Sequence, residues 1–185
     1  MALDWIAGHR PKAGHEAEFQ EIVATLFWDK LGAADRSAAA RTRRNRLTGA
    51  LFDRTRAVRQ PSEALRQRYD EIGILASDTL GTLRGGDDCT AALSFRAQGL
   101  SAATAIIGDH LLRACYEVKY APDLSAFGNA LLVRASAFAK AKRLDVADMP
   151  PGDPASIEGQ LHAVDAAGRW CRFWGERGHL LVPSF

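Results

Sequence analysis

The sequence predicts an α+β protein in which a mainly helical body, residues 1–147, packs against a small C-terminal antiparallel β-meander, residues 155–185. Two observations lead to this prediction. Apolar residues recur at helical spacing in several segments of the body, and short apolar runs separated by glycine-containing turns follow a proline-rich segment. The 185 residues, 47% of them hydrophobic, are enough to bury one sizeable core, so we expect a single domain.

The clearest helical pattern lies in residues 15–30. Its apolar side chains fall on one face, three and four positions apart: Phe19, Ile22, Val23, Leu26 and Phe27. Residues 101–120 and 123–143 show the same spacing and begin at residues that cap helices. A shorter stripe in residues 62–75 follows Pro61-Ser62, a typical helix start. We expect these helices to supply most of the core.

Strands are predicted mainly at the C-terminal end. Residues 148–154 contain three prolines, which cannot occupy a helix interior or a central strand because proline lacks the amide donor and fixes φ. Beyond this linker, apolar runs at 157–164, 169–174 and 179–182 predict three strands joined by four-residue turns. A meander of this size is marginal alone, so we expect it to pack on the helices or to pair with a strand at residues 3–7.

Charge is unevenly distributed along the chain. Residues 36–68 carry ten arginines and two acids, whereas the whole chain has a net charge of only +2. Four arginines lie close together in this segment and are candidate surface contacts: Arg41, Arg43, Arg44 and Arg46. Arginine pairs bidentately with carboxylate or phosphate, so we expect an acidic protein surface as partner. Nucleic acid is the less favoured alternative, because residues 36–46 hold no aromatic side chain that would stack on bases.

Basic side chains also cluster before the first helix, at His9, Arg10, Lys12 and His15. A helix N-terminus presents unpaired N–H groups, so a cationic segment leading into it attracts a carboxylate or phosphate. We therefore predict a small anionic ligand at His9, Arg10 and His15. Two alternatives stay open: His15 only begins the helix, or His15 and Glu18 supply two ligands of a metal site that needs more from elsewhere. No metal site is predicted, and the sequence identifies no cofactor.

His110 is the candidate for catalysis. It lies beside the apolar stripe of the predicted 101–120 helix, and Glu117 follows two turns later on nearly the same face. A half-buried histidine with a carboxylate partner can act as a general base. A small enzyme that uses His110, or His15, with a nearby carboxylate is therefore the alternative function. A boundary histidine with a purely structural hydrogen bond is the other interpretation of His110.

Trp170 and Trp174 form a candidate ligand or partner surface. Strand side chains alternate between faces, so in the predicted strand either this pair or Cys171 and Phe173 would face solvent. The alternative is a pair of tryptophans that face the core, with Phe173 half covered.

Several protein classes lose support from the sequence. The phosphate-loop, dinucleotide-binding and nucleophile-elbow motifs are missing. Three widely spaced cysteines argue against a disulfide scaffold, and the longest charge-free stretch, residues 97–108, is too short to span a bilayer. We expect a cytoplasmic domain that binds a small ligand or a protein surface, has no membrane partner and self-associates as a homo-oligomer.

Overall fold

The computed structural model describes most of the chain, namely residues 3–46, 62–80, 92–144, 153 and 155–185. The chain divides into two compact units, which are described separately. The first unit comprises Met1–Arg10 and Leu75–Phe185, and the second comprises Pro11–Ile74. Three features of the sequence lie outside the described residues: Cys89, the arginine-rich segment from 47 to 61, and the proline-rich linker 148–154 apart from Asp153.

Helices predominate in the described residues. The α-helices are α1 (Glu16–Leu26), α2 (Ala33–Arg46), α3 (Glu63–Ile72), α4 (Ala76–Leu80), α5 (Thr104–Ala114), α6 (Ala121–Lys142) and α7 (Ile157–Glu176). The strands are β1 (Asp4–Ala7), β2 (Arg10–Pro11), β3 (Gly73–Ile74), β4 (Ser94–Arg96) and β5 (Leu181–Ser184). Short 3-10 helices cover Trp28–Lys30 and Ala97–Ser101.

A three-stranded antiparallel sheet in the first unit confirms the predicted α+β class. The strand order is β4-β1-β5, so β1 is central. Trp5 of β1 lies opposite Phe95 on one side and Pro183 on the other. The N-terminal strand thus pairs with the C-terminal strand, as the marginal stability of a short isolated ribbon requires. Because strand side chains alternate, Trp5 and Ala7 are buried while Ile6 faces outward.

The predicted strands at 157–164 and 169–174 are wrong, because both runs lie within the single helix α7. Ser156 caps this helix, and its hydroxyl oxygen accepts the Gly159 N–H at 2.9 Å. The large buried side chains of α7 recur at helical spacing: Leu161, Val164, Trp170, Cys171 and Trp174. Short apolar runs fit both periods, so the sequence pattern alone was ambiguous. Of the predicted meander, only the last strand is present, as β5.

Close packing between α6 and α7 explains why this segment is helical. A Cβ atom added to Gly128 of α6 would lie 2.7 Å from the carbonyl oxygen of Gly168 in α7. A Cβ atom on Gly175 would lie 2.8 Å from the backbone nitrogen of Ser125. These glycines let the two backbones approach more closely than any side chain would allow. The apolar face of α7 is therefore buried along a matching surface of α6.

The predicted helix at 101–120 is shorter than expected. Gly108 has φ +76°, in the left-handed region, and interrupts the helical conformation inside α5. The helix ends at Ala114, and beyond it Lys119 pairs with Leu181 in an isolated antiparallel bridge. The helix predicted for 123–143 is confirmed as α6, whose first turn accommodates Pro122 because N–H groups there have no helical partner.

In the first unit, aromatic rings surround the central strand. The Trp5 ring lies 5.6 Å from Phe95, 5.9 Å from Phe127 and 6.0 Å from Trp170 between centroids. Its indole N–H donates to the Cys115 carbonyl at 2.9 Å, which satisfies the one polar group of a fully buried side chain. Trp5 therefore joins the sheet to the helical layer.

The second unit contains the helices predicted at 15–30 and 62–75 as α1, which ends earlier than expected at Leu26, and α3, which ends at Ile72. Phe19 of α1 stacks on Tyr69 of α3 with ring centroids 5.2 Å apart. Ser62 caps α3, and its hydroxyl accepts the Leu65 N–H at 3.3 Å. The predicted apolar stripe of α1 thus contacts α3 through Phe19.

Candidate functional site

His9, Arg10 and His15, the three residues of the predicted anion site, belong to different units. His9 and Arg10 end the N-terminal part of the first unit, and His15 precedes α1 in the second. In the second unit, His15 Nδ1 lies 3.3 Å from Glu18 Oε2. This contact favours the interpretation in which His15 simply begins a helix.

Glu18 is fully engaged by neighbouring cations. The Arg68 guanidinium donates to both of its oxygens, at 2.8 and 2.9 Å. These hydrogen bonds, together with the one from His15, lower the pKa of Glu18 from 4.5 to about 2. The Arg68 pKa is raised by the same pairing. Since both oxygens of Glu18 are occupied, the metal-binding alternative for His15 and Glu18 loses its support.

His179 lies at the centre of a polar cluster in the first unit, and no sequence pattern predicted this role. Its side chain is fully buried. Nδ1 lies 2.8 Å from the Gly8 carbonyl oxygen, and Nε2 lies 2.8 Å from the Thr79 hydroxyl oxygen. A carbonyl only accepts, so Nδ1 carries the proton and Nε2 accepts the Thr79 hydroxyl hydrogen. This arrangement holds a neutral imidazole, whose ring stands edge-on to Trp174 at 5.1 Å.

Basic side chains lie close to this imidazole. Burial lowers the pKa of His179, the hydrogen bond to Gly8 opposes this effect, and the nearby Arg10, His9 and Arg177 lower the pKa further. The Arg10 stem runs along the backbone here, because a Cβ atom added to Gly178 would lie 3.7 Å from Arg10 Cδ. Two arginine side chains therefore lie close enough to this histidine for their charges to lower its pKa.

The two arginines differ in how their guanidinium groups are satisfied. Arg177 lies over the Phe173 ring, 3.7 Å from its centroid, and its Nη1 donates to the Phe173 carbonyl at 3.0 Å. The Nε of Arg10 is buried and has no hydrogen-bond partner among the described residues. A buried charged donor without an acceptor is costly, so an acceptor supplied from outside would be stabilised there.

His110 and Glu117, the predicted catalytic pair, are not brought together in the described part of the chain. Glu117 lies beyond the end of α5, and Lys119 donates to its carboxylate at 2.7 Å. His110 is exposed at the rim of a groove of about 530 Å³ between α5 and α6. The premature end of α5 is the physical reason for the separation.

Trp170 and Trp174 are fully buried, so they form no exposed surface. Both indole N–H groups donate to the Ala92 carbonyl, at 2.8 and 3.0 Å. The core-facing alternative is confirmed, and Phe173 is half-buried as that alternative expects. These tryptophans fix the backbone at Ala92, just before β4.

The arginine cluster lies at the end of α2 in the second unit. Arg41, Arg43, Arg44 and Arg46 are in helical conformation, and their side chains lie outside what the structure describes. Both the acidic-surface and the nucleic-acid interpretations therefore stay predictions.

The described ranges contain no group of three or more His, Cys, Asp or Glu side chains arranged to hold a metal ion. Within the same ranges, no helix combines the length and apolar character needed to cross a bilayer. Comparisons with protein-family models, with curated proteins and with solved structures gave no match.

No sequence pattern indicated a functional role for His179, Thr79 or Arg177. His179 falls in a segment that reads as a strand, and Arg177 falls in a predicted turn. The only local signal was the spacing of two basic residues around Gly178. Nothing in the sequence connects His179 or Arg177 to Gly8 or Thr79.

Proposed function

We propose that this protein is a binding domain for a small anion with a carboxylate or phosphate group, held by Arg10 and Arg177 beside His179. The main support for this proposal is the buried Nε of Arg10, which has no acceptor among the described residues. Two of the predicted ligand-binding residues, His9 and Arg10, are part of this site. His15 is not included, because it contacts Glu18 in the other unit.

The charge of the cluster explains why its ligand is an anion. Arginine remains protonated at every accessible pH, and its planar donors match the oxygens of carboxylate and phosphate. Hydrogen bonds to charged groups contribute about 1.5 to 3 kcal/mol each where they are partly desolvated. A bound anion would satisfy Arg10 and reduce the mutual repulsion of Arg10 and Arg177.

His179 couples this binding to protonation. The imidazole is neutral because it is buried and its neighbours are cationic. An anion placed among those cations favours the imidazolium form, so binding raises the pKa of His179. By linkage, the anion binds more tightly as pH falls.

The test uses inorganic phosphate and sodium acetate against sodium chloride at equal ionic strength. Phosphate or acetate is expected to raise the Tm of the wild type and of Arg96→Gln, and to leave the Tm of Arg10→Gln unchanged. Arg96 is the matched control, because it also lies near the N-terminal strand but its side chain is 84% exposed. Each shift is measured against the same variant without anion, so lower stability of Arg10→Gln does not obscure the result. An equal shift in Arg10→Gln and the wild type would refute the proposal.

Self-association and a cytoplasmic location complete the proposal. Ile6, on the outward face of β1, is 43% exposed and offers an apolar contact for a second copy. Cys115 and Cys171 are buried free thiols, which suits a reducing compartment. Sedimentation of the wild type and of Ile6→Ser at low and high salt tests self-association. A wild type that is strictly monomeric at both salt concentrations would contradict it.

A further inference from the structure

The groove between α5 and α6 is a second candidate site in the first unit, built from residues that the anion site does not use. Ile107 and Leu111 of α5 and Ala130 and Val133 of α6 give it an apolar floor. Val133 is 67% exposed, so its apolar side chain is accessible to a ligand. The volume of about 530 Å³ lies in the range typical of small-molecule sites.

Gly108 shapes this groove. Its φ of +76° breaks α5 between the buried Ile107 and the exposed Asp109 and His110. An added Cβ atom at Gly108 would meet no atom within 4 Å, so the space beside the kink is open. The kink therefore places polar side chains at the rim while the apolar floor continues beneath them.

We infer that this groove binds a small amphipathic monocarboxylate, whose apolar chain lies on Val133 and Leu111 and whose carboxylate pairs with Arg134. Arg134 lies at the rim and forms no ion pair with a carboxylate of the described residues. His110, on the same rim, supplies a further hydrogen-bond donor. The apolar floor and the Arg134 guanidinium together match a ligand with one apolar tail and one anionic head.

Asp109 sets the charge of the preferred ligand. Its carboxylate shares the rim with Arg134, so a second negative charge on the ligand would be repelled. We therefore expect a monocarboxylate to bind more tightly than a dicarboxylate of the same length. Loss of the Asp109 charge would remove this preference.

The experiment follows the methyl and amide NMR signals of the full chain during titration with octanoate, octylamine and octanedioate. Octanoate is expected to shift the signals of Ile107, Leu111 and Val133 saturably. Arg134→Gln is expected to weaken its binding about ten-fold, the size of one partly exposed charged hydrogen bond. Lys140→Gln, an exposed cation further along α6, is the matched control and leaves the affinity unchanged.

A further pair of variants separates this site from the anion site. Asp109→Asn is expected to let octanedioate bind as well as octanoate, and Arg10→Gln is expected to leave octanoate binding in the groove unchanged. The inference is wrong if octylamine binds as tightly as octanoate, if Arg134→Gln binds octanoate like the wild type, or if Arg10→Gln abolishes the groove shifts. Failure of phosphate to bind at Arg10 would leave these results unaffected.

Discussion

The Thr79 hydroxyl donates to Nε2 of His179 across 2.8 Å, while the opposite nitrogen of the same imidazole donates to the Gly8 carbonyl. One buried side chain thus connects the N-terminal strand, the α4 helix and the segment that follows α7. Thr79 and Gly8 lie 100 and 171 positions before His179 in the chain. His179 is for this reason both a structural clamp and the neutral member of the proposed anion site.

His179→Ala is expected to lower the free energy of unfolding by about 3 kcal/mol, because it removes the hydrogen bonds of the imidazole to Gly8 and Thr79 and opens a cavity. Urea denaturation measures this loss. His110→Ala is the control, since His110 is exposed and its replacement should cost less than about 0.5 kcal/mol. Equal effects of the two substitutions would contradict the clamp.

Stability is expected to fall as pH decreases below the ordinary pKa of histidine, about 6.5. Burial and neighbouring cations lower the pKa of His179 in the folded protein, so the unfolded chain binds more protons in this range. The loss of stability begins near the pKa of His179 in the unfolded chain. It continues as pH falls to the lower pKa of His179 in the folded protein. Urea denaturation of the wild type and His179→Gln between about pH 7.5 and 5.5 measures it, and a wild-type slope no steeper than the variant's would contradict it.

Glu18 titrates in a lower range and with the opposite sign. Its pKa is lowered from 4.5 to about 2, so the stabilisation by Arg68 is complete above pH 4.5 and is lost as pH falls toward 2. NMR titration of the Glu18 carboxyl carbon should show a pKa near 2 in the wild type. Arg68→Gln should move it toward 4.5, and Arg66→Gln, an exposed neighbour in α3, should not. An unchanged pKa in Arg68→Gln would be inconsistent with this pairing.

Gly128→Ala is expected to destabilise the protein by about 1 to 3 kcal/mol, because the new methyl group would overlap the Gly168 carbonyl of α7. Thermal and urea unfolding measure the change. Gly99→Ala is the matched control, since its added methyl group would lie at an ordinary 3.8 Å from Ala163. Comparable unfolding of both variants would show that the helices separate without cost.

Local periodicity predicted the helices correctly where one face is apolar, and at α3 a capping serine supported the prediction. The stripe through Phe19 and the cap at Ser62 specify α1 and α3 by short-range spacing alone, and α6 follows the same rule. Such signals depend on residues three or four positions apart, which the sequence displays directly. The α+β class was predicted from these helices and from a C-terminal meander, of which only the last strand is present in the sheet.

Where two periods fit the same residues, the sequence did not decide. The apolar runs on either side of Gly168 read as strands, and they form a helix because Gly128 of α6 and Gly168 and Gly175 of α7 let the two helices pack closely. The predicted His110 and Glu117 pair is not formed because α5 ends at Ala114, so the assumed helical face does not continue to Glu117.

The amino-acid order by itself determined the fold class, the capped amphipathic helices and the cationic character of the segment around Arg10. Only the tertiary structure decided which side chains meet, because Gly8, Thr79 and His179 approach one another through packing between distant segments rather than through any local repeat. The hydrogen bonds and burial of such residues depend on their neighbours in three dimensions. These neighbours lower the pKa of His179 and leave the Nε of Arg10 without an acceptor among the described residues.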